Sequence, residues 1–137
     1  MSHMNQSEPR KVRIQQLSCH RDPRGSLFEP LDVDGLSRQR NAHVVLTAPH
    51  QIRGNHWHRR STETTVVVGP CLVRLKEPDG LRDVLVPVDE IWQFTLPPGV
   101  VHAYQNTGEG IMVLISFASE VHDPDDPDTV REIILQT

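Results

Sequence analysis

The sequence predicts an all-β domain, in the form of a barrel or sandwich of two facing sheets. Short runs of β-branched and aromatic residues alternate with turns that contain glycine, proline or aspartate. These turns recur at intervals of about ten residues, which is typical of such folds. No stretch shows the periodicity of a long amphipathic helix. A chain of 137 residues is long enough for one core of this kind but short for two.

Alternation and bounding turns place the strands along the chain. Residues 111–117 form the most apolar run, which predicts a strand buried on both faces. Gly69-Pro70 predicts a tight hairpin, and Pro78-Asp79-Gly80 predicts a second one. Residues 32–41 are predicted to form a loop or one helical turn. Further strands are predicted at residues 12–17, 26–29, 42–47, 64–68, 71–76, 81–88, 91–96, 101–105 and 130–135, the last pairing with an edge strand or a partner subunit.

Composition limits the partners and the compartment. The net charge of −4 and the pI near 6.0 provide no basic face, so neither nucleic acid nor a membrane surface is expected as a partner. Cys19 and Cys71 are too few for a disulfide framework, and no apolar run is long enough to span a bilayer. We therefore expect a cytoplasmic protein with a single domain at residues 11–137. A flexible segment precedes it at residues 1–10, of which residues 1–4 resemble an expression-tag remnant.

Three histidines and a glutamate stand at spacings that strands can bring to one point. His56 and His58 are two residues apart, so both side chains leave the same face of a strand. Glu63 begins the next predicted strand, and His102 comes from a strand much later in the chain. Imidazole nitrogens with a carboxylate suit zinc, iron, manganese, nickel or copper better than calcium. The four residues therefore form a predicted metal site.

The same residues resemble the two motifs of the cupin superfamily. A glycine, the His-x-His pair, Glu63 and a closing glycine within residues 54–69 fit the first motif. Residues 97–106, Pro-Pro-Gly-Val-Val-His-Ala-Tyr-Gln-Asn, fit the second motif position for position. The resemblance implies a double-stranded β-helix (a jelly-roll barrel), usually in a homodimer, with a metal at its centre held by His56, His58, Glu63 and His102.

A closer resemblance is to cupins that act on nucleotide sugars. Residues 22–29, Asp-Pro-Arg-Gly-Ser-Leu-Phe-Glu, and residues 52–56, Ile-Arg-Gly-Asn-His, look like dTDP-4-dehydrorhamnose 3,5-epimerases and sugar 3,4-ketoisomerases. Residues 120–129 look like the end of the C-terminal cupin domain of capsular-polysaccharide reductases, which carries zinc and epimerises a UDP-4-keto sugar. The resemblance implies polysaccharide or deoxysugar biosynthesis on a UDP- or dTDP-4-keto-6-deoxyhexose. It favours Zn²⁺ as the metal, with Fe²⁺, Ni²⁺ and Mn²⁺ as alternatives.

The chemistry of a 4-keto sugar indicates the catalytic candidates. A proton next to the carbonyl is removed, the enolate oxygen is stabilised and a proton is returned. His56, His58 and Tyr104 are the candidates for these proton transfers. Tyr104 is included because it shares a strand face with His102. A histidine nitrogen that binds zinc is not available as a base. Whether His56 and His58 hold the metal, move the proton or divide these tasks is left open by the sequence.

Four further residues are candidates for substrate binding. Arg53 and Arg59 flank the predicted site, and a guanidinium pairs with the oxygens of a diphosphate. Trp57 can stack on a base or a sugar, and Asn106 closes the second motif. A nucleotide sugar is accordingly the predicted small-molecule partner.

Two other functions fit the same residues. Three histidines and a glutamate around iron or nickel can activate oxygen, which predicts a metal-dependent dioxygenase. A non-catalytic cupin that binds a sugar through a structural metal is the other alternative. Zinc has no redox chemistry, so the identity of the metal separates the dioxygenase from the epimerase.

Overall fold

The computed structural model describes residues 11–137, so the predicted flexible segment at residues 1–10 lies outside the described residues. Almost all of the regular structure in this range is β. No helix among these residues has the length and apolarity needed to cross a membrane. In chain order the elements are β1 Arg13–Gln16, β2 His20–Asp22, β3 Gly25–Leu27, α1 Val33–Ser37, β4 Asn41–Thr47, β5 Ile52–His58, β6 Glu63–Val68, β7 Cys71–Glu77, β8 Gly80–Val86, β9 Ile91–Leu96, β10 Val101–Asn106, β11 Met112–Ala118 and β12 Thr129–Arg131.

Two five-stranded antiparallel sheets form the body of the domain. Sheet 1 has the strand order β1-β9-β6-β11-β4, and sheet 2 has the order β12-β5-β10-β7-β8. β2 and β3 form a separate hairpin between β1 and α1 in the chain. The predicted all-β jelly-roll class is confirmed. The predicted turn at residues 32–41 is also confirmed, because α1 is a single short helix whose first turn is capped by the Asp32 carboxylate.

Apolar side chains fill the space between the two sheets. Phe94 and Leu114 come from sheet 1, and Val73 and Leu75 come from sheet 2; all four are fully buried or nearly so. Burial of one such side chain contributes about 1.5–3 kcal/mol. A second, smaller cluster lies on the outer face of sheet 1, where Phe28 and other residues of the segment before β4 pack against it.

The predicted hairpin at Gly69-Pro70 is wrong. β6 pairs with β9 and β11 in sheet 1, whereas β7 pairs with β8 and β10 in sheet 2. The chain therefore crosses from one sheet to the other at this point. A β-carbon on Gly69 would overlap the carbonyl oxygen of Pro87, so only glycine fits the bend. The hairpin at Pro78-Asp79 is confirmed, since Glu77 faces Gly80 across β7 and β8.

Two other strand predictions are modified by the structure. The segment at residues 111–117 is not buried on both faces, because Ile111 is 62% exposed and Val113 and Ile115 are only half-buried. β11 lies next to β4, the edge strand of sheet 1, and the segment before β4 covers only part of its outer face. The final segment pairs within the chain, because β12 lies antiparallel to β5 and forms the edge of sheet 2.

Candidate metal centre

Three strands from both sheets bring the predicted ligands together. His56 and His58 lie on β5, and His102 lies on the neighbouring strand β10, directly across from His56. Glu63 begins β6 in the opposite sheet. One possible ligand atom from each of the four residues lies within 4.8 Å of the others. The period of two along β5 directs both of its histidines into the barrel.

The carboxylate of Glu63 is the centre of the cluster. Its Oε2 lies 2.8 Å from Nε2 of His58 and 3.0 Å from Nε2 of His102. The side chains of Glu63 and His102 are 8% and 1% exposed, whereas that of His58 is 15% exposed. The cluster is therefore closed at His102 and more open at His58.

In two of the histidines, the ring nitrogen that faces away from Glu63, which is called the outer nitrogen, also contacts other groups of the chain. Nδ1 of His102 donates to the backbone oxygen of Val100 at 3.0 Å, so its Nε2 is the nitrogen that faces Glu63. This buried Nε2 lies close to Glu63 but has no hydrogen-bond partner of good geometry within residues 11–137. Nδ1 of His58 lies 3.3 Å from Oγ1 of Thr129 and 3.5 Å from Oδ2 of Asp128.

The pKa values of the two histidines on β5 are shifted in opposite directions. Burial lowers the pKa of His56 to about 4, and the charges of His102 and His58 lower it further against the attraction of Glu63. Burial also disfavours the charged form of His58. The hydrogen bond and charge of Glu63, with the charge of Asp128, outweigh burial and raise the pKa of His58. At neutral pH His56 is accordingly an uncharged imidazole.

The carboxyl group of Glu63 has a strongly lowered pKa. Burial opposes its ionisation, but the charge of His102, together with the hydrogen bond and the charge of His58, outweighs burial and holds the pKa well below its ordinary value. Glu63 is therefore a carboxylate at neutral pH. A buried anion between imidazole nitrogens is the donor set expected for a divalent transition metal.

Tyr104 shares the inner face of β10 with His102, as the sequence indicates, and the two rings lie 5.8 Å apart. Its side chain belongs to the main apolar core, and its buried hydroxyl has no hydrogen-bond partner of good geometry in the described part of the chain. Burial and the charge of Glu63 raise its pKa well above the ordinary value, so it stays protonated. A substrate would reach this hydroxyl only if core side chains moved.

The predicted substrate-binding residues are not gathered around the cluster. Arg53 is exposed, and its Nη2 donates to the backbone oxygen of Leu46 at 3.2 Å. Arg59 is also exposed, and its Nη1 donates to the backbone oxygen of Pro127 at 2.9 Å. Trp57 lies between the two histidines of β5, so its side chain leaves the opposite face of the strand. All three therefore sit at the edge or on the outside of the barrel.

The side-chain amide of Asn106, which the sequence predicts to bind substrate, is bonded to backbone groups in the structure. Its Nδ2 donates to the backbone oxygens of Thr47 at 3.0 Å and Gly110 at 2.7 Å. Its Oδ1 accepts from the backbone nitrogen of Gly108 at 2.9 Å, and the residue is 1% exposed. Both amide protons and the amide oxygen are used within the chain, so none is directed at a ligand.

Sequence reasoning did not identify the residues that contact the outer nitrogens of the histidines. Asp128 and Thr129 lie in the C-terminal segment that resembles capsular-polysaccharide reductases, and that resemblance was the only available signal. Val100 contributes a backbone oxygen, which no side-chain pattern can reveal.

The four side chains fit a divalent metal. The set offers three imidazoles and one carboxylate within reach of a single point, and it includes one buried nitrogen that has no hydrogen-bond partner among the residues described. His56 is neutral and Glu63 is ionised at neutral pH, which are the protonation states that metal binding requires.

Known proteins are similar to this chain in sequence and in fold. Residues 20–130 match the sequence profile of the polysaccharide biosynthesis C-terminal domain family. No curated protein matches the sequence. Among solved structures, the capsular polysaccharide assembling protein CapF from Staphylococcus aureus is 27% identical, with a TM-score of 0.64 over 86% of this chain. The match covers 33% of CapF, so this chain spans about a third of that protein.

Two structures of similar length share the fold. QdtA, a sugar 3,4-ketoisomerase from Thermoanaerobacterium thermosaccharolyticum in complex with TDP, is 22% identical, with a TM-score of 0.68 over 88% of each chain. A dTDP sugar isomerase from Desulfovibrio desulfuricans is 17% identical, with a TM-score of 0.75 over 90% of this chain and 85% of the other. At these identities the two structures bear on the fold alone.

Proposed function

We propose that this chain, which belongs to the polysaccharide biosynthesis C-terminal domain family, is a metal-binding epimerase or ketoisomerase of nucleotide sugars. Its substrate would be a UDP- or dTDP-4-keto-6-deoxyhexose. The proposal is supported by the similarity to CapF and by the sugar isomerases that share the fold. The observation that carries it is the convergence of His56, His58, Glu63 and His102 at one point of the barrel.

Epimerisation next to a carbonyl requires one group that accepts a proton and one that returns it. His56 and His58 are neighbours on the inner face of β5, and their ring centroids lie 5.2 Å apart. The pKa of His56 is lowered to about 4, whereas the pKa of His58 is raised. Opposite shifts in adjacent groups are the usual sign of a base and an acid. In this proposal His56 accepts the proton from the carbon next to C4, and His58 returns one.

A divalent metal would be held by His56, His58, Glu63 and His102, and when bound it would supply a Lewis acid for the sugar carbonyl. Within the protein, Glu63 holds Nε2 of His58, and Val100 fixes the ring of His102. Because a nitrogen bound to a metal can neither accept nor return a proton, metal binding and proton transfer compete for His56 and His58. Removal of the metal by a chelator separates these two uses.

The difference in solvent exposure between the two ends of the cluster indicates how a substrate would approach. His58 is the more exposed end of the cluster, while His102 and Tyr104 form its closed end. A 4-keto sugar would therefore enter from the side of β5. Arg53 and Arg59 lie at the two ends of β5, where their guanidinium groups can bind the diphosphate if they leave their present backbone acceptors.

The decisive experiment follows deuterium incorporation. The purified protein, either treated with chelator or loaded with zinc, is incubated with UDP- or dTDP-4-keto-6-deoxyglucose in deuterated water, and C3 and C5 are observed by NMR. We expect deuterium at one or both positions. Exchange confined to the chelator-treated protein would assign proton transfer to the imidazoles. Exchange confined to the zinc-loaded protein would assign it to groups outside the four ligands.

His50 provides a matched control for this assay. It is an exposed histidine that pairs with Glu109 far from the cluster, so His50→Gln should exchange at the rate of the unsubstituted protein. His56→Gln should lose exchange at least in the chelator-treated state. An absence of exchange with either sugar in both metal states would contradict the proposed function. Purification with bound zinc would also argue against a dioxygenase, because zinc has no redox chemistry.

A further inference from the structure

The C-terminal segment covers the connection between two of the proposed ligand strands. β12 lies antiparallel to β5, with Thr129 directly across from His58. The backbone oxygen of Asp128 accepts from the backbone nitrogen of Arg59 at 2.9 Å. Residues 59–62 join His58 at the end of β5 to Glu63 at the start of β6, so the C-terminal segment holds the short link between two members of the cluster.

The carboxylate of Asp128 is the main contact of that segment. Oδ1 accepts from the backbone nitrogen of Arg60 at 2.7 Å, and Oδ2 accepts from the backbone nitrogen of Ser61 at 3.1 Å. The same Oδ2 lies 3.5 Å from Nδ1 of His58. The side chain is only 17% exposed, although it belongs to a segment rich in exposed aspartates. Asp128 thus fixes the link by two hydrogen bonds and places its negative charge beside Nδ1 of His58.

Thr129 makes the second contact with the same nitrogen. Its Oγ1 lies 3.3 Å from Nδ1 of His58. The equivalent nitrogen of His102 is held by a backbone oxygen, that of Val100. His58 is therefore the ligand whose orientation depends on side chains that can be substituted, and this makes the arrangement testable.

We propose that Asp128, assisted by Thr129, is a positioning residue that accepts the Nδ1 proton of His58 and so directs Nε2 of that ring toward Glu63 and the metal. The inference rests on the metal site of the proposed function. A ligand histidine commonly donates its other ring proton to a carboxylate, which fixes the tautomer and the ring orientation. Loss of such a partner typically weakens metal binding by about 10- to 100-fold.

Asp126 offers a matched control in the same segment. Its carboxylate lies 3.4 Å from Nη1 of Arg60, and its side chain is 68% exposed. Asp128 differs from Asp126 in its contacts with the backbone of Arg60 and Ser61 and with His58. Asp126→Asn and Asp128→Asn remove the same charge two residues apart. A difference between them therefore reports the contacts rather than the charge of the segment.

The first test measures zinc affinity by competition with a chromophoric chelator. We expect Asp128→Asn to weaken zinc binding by about 10- to 100-fold and Asp126→Asn to change it by less than about twofold. Thr129→Val should give a smaller loss than Asp128→Asn. Melting of the chelator-treated variants checks that each is folded. Equal zinc affinities for folded Asp128→Asn and the unsubstituted protein would overturn the proposal, as would an equal loss in Asp126→Asn.

The second test observes the ring proton directly in zinc-loaded protein. We expect the Nδ1 proton of His58 to give a slowly exchanging downfield NMR signal, which Asp128→Asn shifts upfield or removes by exchange. A signal that does not respond to Asp128→Asn would overturn the proposal. Failure of the unsubstituted protein to bind zinc would overturn both this proposal and the metal site. Zinc binding without deuterium exchange into a 4-keto sugar would overturn only the isomerase activity.

Discussion

Oε2 of Glu63 lies 3.0 Å from Nε2 of His102, and this contact joins the two sheets of the barrel across the interior. Glu63 begins a strand of sheet 1, while His102 lies on a strand of sheet 2. Polar groups buried between sheets are destabilising unless they are paired or bind a ligand. The arrangement is therefore best understood as a binding site that also contributes to sheet packing once its groups are satisfied.

Substitution of the central carboxylate should abolish zinc binding. In the unsubstituted protein, free zinc at about 100 times its Kd should stabilise the fold by about 2.7 kcal/mol. Glu63→Ala should remove this stabilisation, because it deletes the carboxylate that contacts both His58 and His102. Thermal melting with and without zinc measures the effect. Glu109→Ala, at a carboxylate 78% exposed, should keep the full zinc response; a zinc response retained in Glu63→Ala would show that the site is misassigned.

The stability of the metal-free protein should depend on pH in two directions. The folded-state pKa of His56 is lowered from 6.5 to about 4, so the unfolded chain binds more protons in this window. The free energy of unfolding should therefore fall as the pH falls from 6.5 toward about 4. The pKa of His58 is raised, so its contribution is present below pH 6.5 and is lost as the pH rises through the raised value.

Urea unfolding in the presence of chelator, from pH about 4 to about 9, measures both limbs of this dependence. His56→Gln should flatten the acid limb, and His58→Gln should flatten the alkaline limb. His50→Gln, at an exposed residue, serves as the control for loss of a histidine. An acid limb of undiminished slope in His56→Gln would contradict the assignment.

The composition of the cluster could be predicted because it depends on local periodicity. A spacing of two on a strand puts His56 and His58 on one face whatever the rest of the fold does. The partner of each strand is a different matter, since it depends on contacts between distant segments. Gly69-Pro70 marked a bend, but nothing in its neighbourhood indicated that the bend leads into the other sheet. The same limit hid Asp128, which lies 70 residues beyond His58 in sequence and reaches it only through the pairing of β12 with β5.

Motif membership also gave an incomplete account of Asn106. The residue closes the second motif, which suggested a role beside the ligands. Its amide is instead used to hold the connection between β10 and β11. The distinction requires knowledge of its hydrogen-bond partners, which are backbone groups and leave no trace in the sequence.

Asn106→Ala should therefore reduce stability without weakening zinc binding. Loss of the amide leaves the buried carbonyl group of Thr47 without this partner and removes the half-buried bonds to Gly110 and Gly108, which predicts a decrease of about 1–3 kcal/mol in the free energy of unfolding. Urea unfolding of the metal-free protein and zinc competition measure the two properties. Gln105→Ala, which removes one exposed contact with the backbone of His50, should lower stability by less than about 1 kcal/mol. A zinc affinity reduced in Asn106→Ala would contradict the structural role.

Gly54 should be required for the close approach of β5 and β10. It has a φ of +91°, and a β-carbon placed on it would lie 2.7 Å from the backbone oxygen of His102. Gly54→Ala should therefore force the two strands apart at the point where they carry His56 and His102. We expect lower stability, by about 1–3 kcal/mol from the unfavourable φ alone, together with weaker zinc binding.

Gly80→Ala separates these two effects. Gly80 also has a positive φ, of +125°, but a β-carbon there would meet no atom within 4 Å, and the residue lies in the β7-β8 hairpin rather than beside the cluster. Its substitution should lower the free energy of unfolding without changing zinc affinity, whereas Gly54→Ala should change both. Equal zinc affinities in the two variants would show that the histidines tolerate the separation of their strands, and that Gly54 serves only the backbone conformation.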